Sequence, residues 1–201
     1  MIPALVVGCA AVFLAAGASA ARGDQRLSGP GTVCGGTLWR LMNLSDADRM
    51  KVNLHPEDTT IAAIAALHDP RAIVPRRTTT FQRRVWRLRA VVDRYRIASN
   101  GEIILILYSI DTGQFMDAYL PSTPCLVQRA RDRTGMLAAR SAFTSRCQKV
   151  TAAWQLIGIT VQVGGVGYWN PVRTTRGALA NGAELRPVTN LKIITGCGIG
   201  Q

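Results

Sequence analysis

Between Val85 and Thr195 the apolar side chains keep the spacing of strands. In VWRLRAVV, Trp86, Leu88, Ala90 and Val92 fall on one face, and Val85, Arg87, Arg89 and Val91 on the other. That period of two belongs to a half-buried strand. The phase then slips, because Tyr95 and Ile97 are the next apolar pair. A slip inside one long strand predicts a β-bulge. Ser99-Asn100-Gly101 predicts a hairpin turn. EIILILYSI follows, apolar almost throughout, which predicts a strand covered on both faces. Asp111-Thr112-Gly113 turns the chain again, into QFMDAYLP.

The period next changes to that of a helix. Met136, Ala139, Phe143 and Cys147 form one apolar stripe, with Arg140 and Arg146 off it. TAAWQLIGITVQV predicts a fourth strand, bent at Gly158. Gly164-Gly165-Val166-Gly167 predicts a kink or bulge at its end, and Asn181-Gly182 a turn into the last strand, AELRPVTNLKIIT. The glycines do not have the spacing of a dinucleotide fingerprint, and no helix follows them.

Three meandering strands, a helix and two more strands predict a mainly β fold with a little helix. The expected architecture is a five-stranded OB-like barrel over residues 81–197, with its one helix between strands three and four. Residues 34–80 read as an N-terminal extension, a helical cap and linker. Thr59 or Thr60 would cap a short helix over Ile61–Leu67, and Asp69-Pro70 would end it.

Residues 1–20 read as an export signal. ALVVGCAAVFLAAGASA, residues 4–20, is uncharged and ends in Ala18-Ser19-Ala20, the small-residue pattern of a cleavage site. Val6-Val7-Gly8-Cys9 offers a lipid-anchor alternative, and cleavage near Ala20 is preferred. Residues 21–33 are polar and glycine-rich, and disorder is expected there. The expected place is therefore secreted or in the cell envelope, with no integral span after cleavage and a monomeric state. Four cysteines remain: Cys34, Cys125, Cys147 and Cys197. An even count in an exported chain predicts two disulfides. Of three pairings, Cys125–Cys147 and Cys34–Cys197 are preferred, one closing a local loop and the other tying the ends. Neither CxxC nor HxxxH spacing occurs, and His55 and His68 lie far from any cysteine, so no metal and no cofactor is expected.

A net charge of +12 permits attraction to anionic polymers such as nucleic acid, acidic glycan or an envelope polymer. It does not choose among them. In an OB-like barrel the loop joining strands four and five borders a binding face. That places Tyr168, Trp169, Arg173 and Arg176 in a candidate site, with one aromatic expected to act as a lid. Arg87 and Arg89 share the outer face of strand one. Asp93, Glu102 and Asp117 are scattered and expected to stay apart, while Glu184 and Arg186 are expected to pair with neighbours at the surface. No Ser-His-Asp or Cys-His set is present, so no catalytic residue is assigned.

GVGYWN…GALANGAELRPVTNLKI resembles the C-terminal signature of a family of exported bacterial OB-like proteins of uncharacterised activity. The resemblance extends upstream to CGGTLWRLMNLSD, TTIAAIAAL, VWRLRAVVDRYRIASNGEIILIL and MDAYLPSTPCL, nearly the whole mature chain. It implies an OB-like fold and no particular activity. Where that family often carries His, this chain has Ile104, Arg173 and Arg186; where it often carries Glu, this chain has Tyr119. Arginine stays protonated and cannot serve as a base, but it binds anions, which adds Arg186 to the candidate binding set. The resulting expectation is a basic binding protein without catalysis. The alternatives are a degenerate metal-dependent nuclease or phosphodiesterase on the same barrel, or a structural, protein-binding envelope protein.

Overall fold

The computed structural model describes residues 34–147 and 149–197. The expected signal segment, Cys9 and the 21–33 stretch lie outside the described residues. Among these residues the fold is mainly β, with six strands in one sheet and three α-helices. Helix α1 spans Trp39–Met42, strand β1 Asn53–Asp58 and helix α2 Ile61–Ala65. Strand β2 spans Arg84–Ile97, β3 Ile103–Tyr108 and β4 Phe115–Leu120. Helix α3 covers Arg133–Thr144, β5 Gln155–Trp169 and β6 Ala183–Thr195.

The sheet order is β1-β2-β3-β4-β6-β5, and β5 pairs with β2 as well. The β2–β5 ladder is antiparallel and runs from Val85 opposite Val166 to Tyr95 opposite Gln155. The β4–β6 contact is parallel, with Ala118 opposite Leu185. The register of β2 shifts between Val92 and Arg94 against both neighbours, which is the bulge the phase slip predicts. Gly101 sits at φ +80° in the β2–β3 turn, a conformation a side chain would disfavour.

Inward positions of strands β2 to β6 meet in one core. Leu88, Val92 and Tyr95 of β2 pack with Leu105 of β3, Ala118 of β4 and Val161 of β5. Helix α3 lays Ala139 and Phe143 on this core, and the Phe143 ring meets Tyr95 edge-on at 5.0 Å. Burying one such ring stabilises by roughly 1.5–3 kcal/mol. Arg140, off the stripe, donates to the Pro121 carbonyl at 2.9 Å.

The extension is more than a helical cap. Strand β1 joins the sheet parallel to the start of β2, with Asn53 opposite Arg84 and Asp58 opposite Arg87. NLHPED gave no strand pattern to read, since its side chains alternate around half-exposure rather than between core and water. Arg77, fully buried, holds the extension down. It donates to Asp46 Oδ2 at 2.8 and 3.2 Å, to the Leu41 carbonyl at 2.9 Å and to the Gln82 carbonyl at 3.0 Å. The Thr60 hydroxyl caps α2 by accepting from Ala63 N at 3.1 Å.

Both disulfides form, with the other pairing: Cys34–Cys125 and Cys147–Cys197. The preferred Cys125–Cys147 and Cys34–Cys197 links are therefore wrong. Packing decides it. Leu44 of the extension shares a buried cluster with Leu126 and Ala130, and Arg131 N donates to the Leu44 carbonyl at 2.9 Å. That carries Cys34 to Cys125. Helix α3 lies against β6, which carries Cys147 to Cys197 at the far end of that strand.

Candidate functional site

Strand alternation separates an inner face from an outer one. The outer face of β3, β4 and β6 holds a charged cluster. Arg186 sits at its centre. Its Nε donates to Glu102 Oε1 at 3.0 Å, its Nη2 to Glu102 Oε2, and its Nη1 reaches Glu184 Oε1 at 3.4 Å. The guanidinium also lies over the Tyr119 ring, 4.1 Å from its centroid, and 5.7 Å from that of Tyr168. Glu102, Asp117, Glu184 and Arg186 are all buried. The expectation of a surface pairing for Glu184 and Arg186 is thus corrected: the pair exists, but under cover. Glu102 and Asp117, expected to stay apart, both belong to this cluster. Asp93 remains outside it, paired with Arg94 at 2.6 Å.

The cover is the β5–β6 loop, residues 170–182. Asn170 Nδ2 donates to Glu184 Oε2 at 3.0 Å, and the Thr175 hydroxyl donates to Asp117 Oδ2. A methyl group at Gly177 would stand 2.2 Å from Asp117 Oδ1 and 3.0 Å from Ile106 Cγ2, so only glycine lets the loop lie this close. Asn181 Nδ2 spans the carbonyls of Ile64, Ala65 and Leu67 at 2.9, 3.2 and 3.0 Å. It satisfies the bare end of α2.

Burial dominates the acid–base behaviour of the cluster. It pushes Glu184 up to about 8, against the opposing pull of Arg186 and Asn170. It pushes Asp117 up to about 6, with Thr175 and Gly177 acting the other way. Burial alone would lower the pKa of Arg186, but Glu102 and Glu184 outweigh it and hold the guanidinium above its usual range. Tyr119 and Tyr168 are raised beyond their ordinary values, first by burial.

The candidate residues divide accordingly. Tyr168 and Trp169 are both buried, so each acts in packing and neither is presented to solvent. Trp169 Nε1 donates to the Thr79 hydroxyl at 2.9 Å, and its ring lies 4.8 Å from Phe81. Strand β5 runs through the glycines to reach them, with register shifts at Gly164/Gly165 and Gly165/Gly167. Arg173 is exposed but engaged, with Asp69 at 2.6 Å and the Ala180 carbonyl at 2.5 Å. Arg176 is exposed on the same loop. Arg186 has its donors turned to Glu102 and Glu184. Arg87 forms a two-pronged pair with Asp58 at 2.6 and 2.7 Å.

Arg89 is different. It is exposed on β2 and borders a cleft of about 340 Å³. It pairs across the ladder with Gln162 of β5, which pairs with Lys192 of β6. Arg89 and Lys192 are both exposed. Among the described residues neither takes a hydrogen-bond or ion-pair partner. Sequence reading missed Lys192. Its alternation with Leu191 and Ile193, both buried, was the available signal, but strand pairing alone places it beside Gln162.

No protein-family model matches this chain, and no curated protein matches it closely enough to count as a relative. The site is therefore weighed on its own chemistry. Among the described residues no group of three or more His, Cys, Asp or Glu is arranged to hold a metal ion. No helix among them is long and apolar enough to cross a membrane. In the buried cluster Arg186 pairs with Glu102 and Glu184, and the 170–182 loop covers it. The outer row Arg89–Gln162–Lys192 is open.

Proposed function

We propose that this chain is an exported, OB-like barrel protein that binds an anionic polymer without catalysis. Support for the barrel comes from the pairings of β2 with β3, β3 with β4, β4 with β6, β6 with β5, and β5 back to β2. Two disulfides fit an oxidising compartment. The single observation that carries the binding reading is the row Arg89–Gln162–Lys192. Two open cations flank an amide on one face, while the other candidate arginines on strands are already paired. The site thus moves from the 170–182 loop to the β2–β5–β6 face, retaining Arg89 and adding Lys192. Arg176, exposed on the loop, is a secondary contact.

Retention on a heparin column tests this. The full chain is expected to bind at low salt and elute as salt rises, because counterions are displaced. Arg89→Ala with Lys192→Ala is expected to elute at clearly lower salt with an unchanged melting temperature. Unchanged elution would remove the face from consideration, and absence of retention would remove the function.

A further inference from the structure

The cleft beside Arg89 has a composition that mere attraction to a polyanion does not call for. Its lining includes the cross-strand row of Thr160 on β5, Val91 on β2 and Tyr108 on β3, together with Arg89 of β2 and Ser109 and Asp111 of the turn after β3. The Tyr108 ring is backed by Phe115, centroid to centroid 4.9 Å. Ile110, 72 % exposed, stands at the rim. A cation and a carboxylate thus line one small cavity. Among the described residues neither Arg89 nor Asp111 has a hydrogen-bond or ion-pair partner.

We propose that this cleft binds one acidic sugar unit of a carboxylate-bearing polysaccharide. The inference rests on the anionic-polymer reading and names the class of polymer. The planar guanidinium of Arg89 matches a sugar carboxylate two-pronged. Asp111 accepts from ring hydroxyls, and the hydroxyls of Ser109 and Thr160 exchange hydrogen bonds with the same ring. The C–H face of the sugar lies on Tyr108. At about 340 Å³ the cavity is at the small end of ligand sites, and it suits a single ring rather than a long segment. Lys192, reached through Gln162, takes a neighbouring carboxylate of the chain.

A phosphodiester strand fits less well. Its backbone offers Asp111 few hydroxyls to accept from, whereas a sugar ring offers several. Non-specific single-strand binding also uses successive aromatic platforms, whereas this cleft has one buttressed ring.

The test is titration calorimetry of the full chain with a galacturonic acid trisaccharide, a neutral trisaccharide and a hexathymidylate. Binding is expected for the acidic sugar, at least tenfold tighter than for the other two. Arg89→Ala is expected to weaken it tenfold or more. Asp111→Asn is the deciding variant. It makes the protein more positive, so general electrostatics predicts tighter binding, whereas the proposal predicts a loss of about tenfold. Melting temperatures of both variants should match the parent. If Asp111→Asn leaves sugar binding unchanged or improves it, or if hexathymidylate binds as well, the cleft proposal is overturned, while heparin retention keeps the broader reading alive. If heparin retention is absent too, both fall.

Discussion

The guanidinium of Arg186 lies 4.1 Å from the centre of the Tyr119 ring, while its nitrogens are turned to Glu102 and Glu184. One buried cation thus joins β3, β4 and β6 through ionic and ring contacts at once. Arg186→Ala would leave the Glu102 carboxylate buried without its cation. Removing one partner of a buried ion pair costs about 3–5 kcal/mol, and a loss of that size is expected in urea unfolding. Arg186→Lys keeps the charge but not the fork, and should fall between the two. A loss below about 1 kcal/mol for the alanine variant, the range of exposed pairs, would show that the cluster does not hold these strands.

The raised pKa of Glu184 fixes a sign for pH dependence. The folded chain keeps this proton up to about pH 8, whereas an unperturbed glutamate releases it near 4.5. Between those values the folded state binds more protons, so stability falls as pH rises. Asp117 adds the same sign between 3.8 and about 6. The decline across the window is expected to be on the order of a few kcal/mol. Glu184→Gln still offers Asn170 an acceptor and should flatten the part from pH 6 to 8. Urea midpoints measured across pH decide this; a parent midpoint that climbs from pH 6 to 8 contradicts it.

Arg77 gives a second handle on stability, at the other end of the sheet. Arg77→Ala strands Asp46 in the interior and frees the Leu41 and Gln82 carbonyls. A loss of about 3–5 kcal/mol is expected. Pairing Arg77→Met with Asp46→Asn should recover much of it, since neither position then carries a buried charge, while Asp48 keeps Arg76 and Lys51. Failure of that rescue would place the effect in the carbonyl contacts instead.

Reductant should lower the melting temperature, because each disulfide closes a long loop, 91 residues for Cys34–Cys125 and 50 for Cys147–Cys197. Chain entropy gives about 4–5 kcal/mol for each. The pairing has its own readout. Cys34→Ser with Cys125→Ser should make residues 34–60 sensitive to protease while leaving the rest resistant. Cleavage near residues 145–155 instead would restore the rejected connectivity.

What the sequence revealed and what it hid follow from range. The phase slip at Val92, the Asn100-Gly101 turn and the α3 stripe are local, and each stands where the pattern puts it. The burial of Glu102 to Leu107 was legible for the same reason, although the expected cover stops short of Ile110, which is exposed. Its cover was not: the 170–182 loop lies over Ile106 and Asp117, and nothing in a glycine-flanked loop says which face it will cross. Tyr168 and Trp169 read as ambiguous because an aromatic beside arginines looks alike whether it grips a ligand or a neighbouring strand. Cysteine pairing depended on which segments pack together, which spacing does not encode. Arg89 could be picked from alternation alone, but Arg87 beside it is silenced by Asp58, a residue of the strand that carried no pattern.

Among the described strands β2 alone pairs with three others. It pairs with β1 over Arg84–Arg87, with β3 over Val91–Ile97 and with β5 from Val85 to Tyr95, so its two ends are held on both sides and Leu88–Ala90 by β5 alone. Opening it requires breaking contacts with three strands together. The amides from Val91 to Tyr95, held between β3 and β5, should therefore trade hydrogen for deuterium only through global unfolding. The Val91 end of the cleft would then be among the last parts of the molecule to loosen, a rigid footing for any ligand that settles there.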